Sequence, residues 1–316
     1  MTTGTGLAAQ IGMAIEGTPG TRQVPVRFFP FVSESMKLNQ TRLASRGLRA
    51  GRRTKHQSDI AASFVDGNIE FEMAPQGLGV PLRAMMGTLV TTGVGPYTHT
   101  GTPGPLADDL LTVQVGRPFV GSTTVQPFDY IGCMVANWSI GFSIEDYATL
   151  SLGLSGVHED TAQSLAAFTP PATWRPFVFT AGVLSIAGSE QVIKSGSVSG
   201  DNAIDAPRHR MRSATPARPL TPAEGGMRSY TGQVECDFTS LVAYNRFVAG
   251  TEAALSLVFT QGAHTLTVAG NVVFTGETPN VSGPEALNQA LPFEFLSTTS
   301  DAAALTITLV NGDATP

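Results

Sequence analysis

Charge is scarce in this sequence. Asp, Glu, Lys and Arg make up 14% of its 316 residues, against the roughly 25% usual for soluble domains, as suits a chain that buries much of its surface in contacts. No apolar run approaches the roughly 20 residues of a membrane-crossing helix. The opening MTTGTGLAAQIGMAIEG lacks the basic and apolar regions of a secretion signal. These absences predict a protein made in the cytoplasm with no membrane partner. Cysteine is limited to Cys133 and Cys236, which fit no metal-ligand spacing. Two isolated thiols in a reducing compartment are expected to be small buried groups, with no disulfide and no metal.

Glycine (34) and proline (21) are plentiful, with many Ser and Thr, and 42% of residues are hydrophobic. That mixture favours short strands, many turns and an all-β fold. The length exceeds the usual span of one core, so two domains are expected, with one large all-β domain as the alternative. The net charge of −6 hides an uneven distribution. Arg42, Arg46, Arg49, Arg52, Arg53 and Lys55 fall together with no acid among them. Arg208, Arg210, Arg212, Arg218 and Arg228 form a second group with the single acid Glu224. Setting aside those 11 of 19 cations and that one of 25 acids leaves 8 basic side chains against 24 acidic ones. The body is acidic and carries two basic arms.

An internal repeat organises the chain. Gly67-Asn68-Ile69-Glu70-Phe71-Glu72-Met73 matches Gly232-Gln233-Val234-Glu235-Cys236-Asp237-Phe238 in glycine, amide and then strict apolar/acidic alternation, the period of a half-buried strand. Each matched strand leads into a short helical stretch ending in Gly-Thr, at Gly87 and Gly250, glycines suited to helix C-termini. A basic arm precedes each strand, and an extended segment precedes each arm. The order in both copies is strand, arm, strand, helix, strands. An extra stretch in the first copy, PYTHTGTPGPLADDLL, is expected to be a surface loop. The prolines of Phe168 to Trp174 suggest a connector. The expected domains are therefore 1–167, with arm 42–56 and an inserted loop near 97–111, and 168–316, with arm 206–228.

QIGMAIEGTPGT, SESMKL, GNIEFEM with its helix, FDYIGCMVANWSIGF and GMRSYTGQVECDFTSLVAYNRFVAG, taken in order, resemble the tail tube proteins of long-tailed, non-contractile bacteriophages. The resemblance spans nearly the whole chain. It implies two tandem β-sandwich or β-barrel domains, each with one short helix, closing edge to edge into rings that stack around a DNA channel. It implies homotrimeric rings with pseudo-sixfold symmetry, or alternatively homohexameric ones. Tape measure, tail terminator and tail-tip proteins would be the partners. DNA would pass without specific binding, and the protein would reside in the virion tail after assembly in the host cytoplasm. Other readings are a tail-tip or capsid-associated structural protein and a carbohydrate-binding adhesin.

Alternation puts Glu70 and Glu72, and Glu235 and Asp237, opposite the apolar faces of their strands. They are candidates for the channel wall, where acids would repel phosphates spaced about 1.7 Å apart along the duplex axis; an ordinary solvated strand face fits the same pattern. Arg42, Arg46, Arg49, Arg52, Arg53, Lys55, Arg208, Arg210, Arg212 and Arg218 are candidates for ring stacking against an acidic neighbour. Enzymatic signals are weak. His158, Glu159 and Asp160 are consecutive, point in different directions and have no second ligand pair. Gly4, Gly6 and Gly12 make no dinucleotide fingerprint. Asn280-Val281-Ser282 is a glycosylation sequon without meaning in an unsecreted chain. Trp138, Phe142, Tyr244 and Phe247 are expected in the core. No catalytic residue and no cofactor is predicted.

Overall fold

Alternating side chains bury one side of a strand and leave the other to water, and that pattern builds most of this fold. The structure is a computed structural model that describes residues 4–316 except 56, 172, 212–217, 277, 279, 280, 282, 285 and 298. The first half contains β1 (Gln10–Ile15), β2 (Arg27–Phe29), β3 (Ser33–Glu34), β4 (Lys37–Ala44), β5 (Ser58–Glu72), α1 (Gly79–Met86), β6 (Gly87–Thr92), β7 (Tyr97–Pro103), β8 (Leu111–Pro118), β9 (Val125–Ser143), β10 (Thr149–Gly156) and β11 (His158–Asp160). The second contains β12 (Gly182–Ile186), β13 (Ser189–Gln191), β14 (Ser195–Asp201), β15 (Ile204–Asp205), β16 (Ala223–Glu224), β17 (Ser229–Asp237), α2 (Val242–Ala249), β18 (Ala253–Gln261), β19 (His264–Phe274), β20 (Asn288–Leu296) and β21 (Thr306–Asn311). The fold is all-β with two short α-helices among the described residues.

The pairings repeat. In the first half β4, β5, β10 and β9 form one antiparallel layer, and β2, β1, β8, β9 and β11 form another. In the second half β14, β17, β20 and β19 form the first layer, and β13, β12, β18, β19 and β21 the other. Thus β9 and β19 each run through both layers of their half. A register shift opposite Gly153 and Leu154 lets β9 change course, as a bulge bends a strand from one sheet into the next.

The two halves join through β9 and β14, where Asn137 to Ser143 pair with Asp201 to Ser195. The result is one continuous sheet in the order β4, β5, β10, β9, β14, β17, β20, β19. The stretch expected as an inserted surface loop is strand in its first part, where Tyr97–Pro103 form β7 in a hairpin with β6, and a connection over 104–110. Its Tyr97-Thr-His-Thr-Gly alternates like any strand, and β7 pairs with β21 of the second half. His99, fully buried, hydrogen-bonds Thr91 at 2.8 Å and Asn311 at 2.9 Å. The insertion therefore joins the halves through β7 and β21, a second connection beside the β9–β14 seam.

Between the layers lies one apolar core that includes Phe71, Tyr130, Trp138, Phe177, Phe259 and Phe293. Glycine is required where a core ring lies flat against a neighbouring strand: a Cβ on Gly200 would come within 2.4 Å of the Trp138 indole. Both helices end at a glycine in the left-handed region, Gly87 (φ 82°) and Gly250 (φ 60°), where a side chain would strain the backbone. Trp138 and Phe142 are core residues, and Cys133 is a buried free thiol. Tyr244 and Phe247 are only half-buried on α2, and Cys236 is a half-buried free thiol.

Candidate functional site

Residues directly opposite one another in an antiparallel pair point to the same face, so the register identifies every side chain on the free face of the continuous sheet. On β5 these are Asp66, Asn68, Glu70 and Glu72, and across from them on β10 lie Ser155, Gly153, Ser151 and Thr149. Then come Asn137, Ser139, Gly141 and Ser143 of β9, and Asp201, Ser199, Ser197 and Ser195 of β14. Ser229, Thr231, Gln233, Glu235 and Asp237 of β17 follow. Apolar side chains interrupt the face at one end, where Met134 lies opposite Ser155 and Phe64 continues from Asp66 along β5. The opposite face supplies Ile69, Phe71, Leu150, Leu152, Trp138, Ile140 and Val234 to the core.

The four candidate acids thus lie on one surface. Glu70 and Glu72 stand on β5 and Glu235 and Asp237 on β17, with β10, β9 and β14 between. The repeat extends to their bonds: the Ser33 hydroxyl donates to Glu70 at 3.3 Å, and the Ser195 hydroxyl to Glu235 at 3.4 Å. Lys194 approaches Asp237 at 2.6 Å and donates to Asn288 at 2.6 Å. Asp201 and Glu294 add further acids to the same face. Short hydroxyl side chains hold water close to the sheet, and flanking carboxylates make the surface repel anions.

The two arms have different surroundings. Arg42 lies on β4 at a register shift, and Arg46, Arg49, Arg52, Arg53 and Lys55 are exposed in the connection between β4 and β5. The second arm is folded against the first half. Its β15 and β16 pair, the His209 ring meets the Phe64 ring with centroids 6.4 Å apart, and Arg228 donates to the Gly104 carbonyl at 2.6 Å and pairs with Glu224. Arg208 donates to the Thr221 carbonyl at 3.2 Å and faces Asp205 at 3.7 Å. Arg210 is exposed and donates to the His209 carbonyl. Arg218 lies half-buried near His158, and Arg212 lies outside the described residues.

Chemistry of another kind finds no support in the geometry. His158, Glu159 and Asp160 form β11 and pair with Ile131, Tyr130 and Asp129, so successive side chains turn to opposite faces. Burial, with Arg218 adding to it, pushes the His158 imidazole down to about 4. Among the described residues no group of three or more His, Cys, Asp or Glu could hold a metal ion. The sequon at Asn280 to Ser282 falls mostly outside the described residues. The acids that are buried are structural. Glu16 accepts bonds from the Gly20 amide (2.6 Å), the Gly132 amide (2.7 Å) and the Thr112 hydroxyl (2.9 Å), and burial raises its carboxyl above the usual range. Two open depressions lie on the polar face, one lined in part by Ser143, Ser195 and Glu235 and the other by Ser199, Thr231 and Glu294.

Sequence reasoning missed the β9–β14 seam, whose alternating Asn137-Trp-Ser-Ile-Gly-Phe-Ser and Ser195-Gly-Ser-Val-Ser-Gly-Asp were the available signal. It also missed Arg117, which binds the Glu34 carboxylate at 2.9 Å, the Tyr130 hydroxyl at 2.9 Å and the Met36 carbonyl at 2.7 Å. That clamp fixes the entry to β4 against β8 and β9.

One face of the continuous sheet thus presents mostly hydroxyls, amides and acids. The phage tail tube protein family model matches residues 6–295, and the chain belongs to that family. It is a structural component of the virion tail. Comparison with curated proteins finds no match. Among the described residues no helix is long and apolar enough to cross a membrane.

Proposed function

We propose that three subunits close into a ring, that rings stack into a tube, and that the hydroxyl- and acid-bearing face lines a channel through which DNA is ejected into the host. Each half, 1–167 and 168–316, acts as one tube unit, so the ring has pseudo-sixfold symmetry. The observation that carries this reading is the seam between the halves. It is head-to-tail: the last strand of the first set, β9, pairs with the first strand of the second, β14. Such a contact does not satisfy itself and repeats into a ring where the rotation between units closes. The edge strand β4 of one subunit, placed beside the end of β19 of the next, where Val273 and Phe274 pair with β20 alone, would continue the same strand order and cover the β4 edge.

The register also supports a closed barrel of suitable width. Moving across the sheet from Glu70 through Ser151, Ser139 and Ser199 leads to Thr231, four residues before Glu235, the repeat equivalent of Glu70. A stagger of four residues every four strands makes shear equal to strand number. The same ratio in eight-stranded barrels gives a strand tilt of about 36°. Twenty-four strands about 4.8 Å apart at that tilt enclose a backbone barrel roughly 45 Å across. Six subunits sharing their full sheets would double that width, which favours three.

The exposed arginines between β4 and β5 stack one ring on the next by pairing with its acidic body, and tape measure, tail terminator and tail-tip proteins meet the ends of the tube. DNA slides through without specific contacts, and no catalytic step is involved. Electron cryomicroscopy of tubes grown from the purified chain tests the reading: three subunits per ring, with Glu70 and Glu235 facing the channel, are expected. Six subunits per ring, or discrete particles in place of tubes, would overturn it.

A further inference from the structure

The two helices hold equivalent positions but differ in cover. Seven of the eight residues of α1 are buried and none of α2 is; Leu241, Val242 and Val248 are 56%, 58% and 64% exposed. One element of the cover over α1 comes from the other half. Beyond β14 the chain places Asn202, fully buried, so that its amide donates to the carbonyls of Met85 in α1 at 3.1 Å and Val135 in β9 at 2.9 Å. The residue that follows β14, ahead of the second arm, thus closes the C-terminal end of the first helix.

The repeat transfers this contact to the boundary between subunits. Gly250 matches Gly87, so Val248 matches Met85. Ser195 opposite Glu235 matches Ser33 opposite Glu70, so Asn202 matches Gln40. Gln40 lies exposed on edge strand β4 and carries the same kind of amide donor. The Val248 carbonyl, too close to the end of α2 for an intrahelical partner, receives no hydrogen bond among the described residues.

We propose that the β4–β5 hairpin of a second subunit covers α2 within the ring, with the Gln40 amide of one subunit donating to the Val248 carbonyl of the next. The same hairpin carries Leu43 and Ile60, 62% and 46% exposed, apolar surface that would otherwise stay wet. The inference rests on the ring reading and adds to it a lateral role for the stem of the first arm, leaving the arginines near its tip to stack rings.

Two experiments on the full chain test it. In the first, Gln40→Cys and Val248→Cys are combined and assembled tubes are treated with a short bis-maleimide. A covalent ladder that closes at three subunits is expected from the double variant, and none from either single variant or from unassembled subunits. Normal tubes without crosslinks, or a ladder that never closes and so runs between rings, would overturn the proposal. In the second, Val248→Asp, at an exposed position, should leave the melting temperature of the free subunit unchanged while raising the concentration needed for tube growth at least tenfold; unchanged growth would also overturn it. A wild-type chain that formed no tubes would remove the ring reading itself, and this inference with it, before any variant is compared.

Discussion

Replacing Glu70, Glu72, Glu235 and Asp237 together with Lys should convert a wall that repels DNA into one that retains it. The register places seven acids on the free face of the sheet, Asp66, Glu70, Glu72, Asp201, Glu235, Asp237 and Glu294, against Lys37, with Lys194 paired to Asp237. Counting both lysines, the face carries −5 per subunit, and four reversals, worth +8, take it to +3. Side chains narrow the barrel of roughly 45 Å to an opening of about 35 Å, so a centred duplex leaves about 8 Å to the wall, close to the Debye length at physiological ionic strength. At about 0.01 M salt that length grows to roughly 30 Å and the wall acts across the whole gap; at about 1 M it shrinks to roughly 3 Å and the wall is screened. Each phosphate that a lysine neutralises adds about 0.9 to the slope of log affinity against log salt. The bonds given up, from Ser33 to Glu70, Ser195 to Glu235 and Lys194 to Asp237, are solvent-accessible and worth about 0–1 kcal/mol each, so tubes should still assemble. Time-resolved DNA ejection from virions carrying the variant should be slow at low salt and near normal at high salt. Normal ejection at low salt, or a reconstruction with these carboxylates on the outer surface of the tube, would refute the reasoning.

Other outcomes follow from the arms, the core and a buried histidine. Changing Arg49, Arg52 and Arg53 to Ser should block tube growth, seen by negative stain, while the soluble subunit keeps its melting temperature, because all three are exposed; normal growth would count against a stacking role. Gly200→Ala forces a methyl against the Trp138 indole and should cost about 1–3 kcal/mol in chemical denaturation, whereas Gly51→Ala, in open space at φ 77°, should disturb only the local turn. His158 has a folded-state value pushed down to about 4 by burial, below its ordinary 6.5, so the unfolded chain binds the proton more readily. Its contribution is present above about pH 6.5 and is lost as pH falls toward about 4. His158→Gln should flatten the stability profile in that window, as measured by denaturation at a series of pH values.

Strand identity and facing were legible from local pattern. The alternation of Gly67 to Met73 and of Gly232 to Phe238 put Glu70, Glu72, Glu235 and Asp237 on the polar side because side-chain direction in a strand has period two whatever its neighbours. Gly87 and Gly250 marked the helix ends because only glycine enters the left-handed region without cost. The same logic failed for Tyr97 to Pro103. Its turn-forming glycines and prolines suggested a loop, but a strand needs a partner, and that partner, Thr306 to Asn311, lies some two hundred residues away.

By itself, then, the sequence determined an all-β chain built on a repeat, with acids opposite the core in both copies and two basic arms, since all of this follows from side-chain chemistry at short range. Tertiary structure alone decided that β9 meets β14 so that the copies share one sheet, that the insertion crosses to β21, and that Asn202, just ahead of the second arm, closes the end of α1 while α2 stays bare. Pairing between distant strands depends on shape and register established only when both edges are in place. Equivalent segments therefore meet different surroundings: a neighbouring half in one case, and solvent in the other.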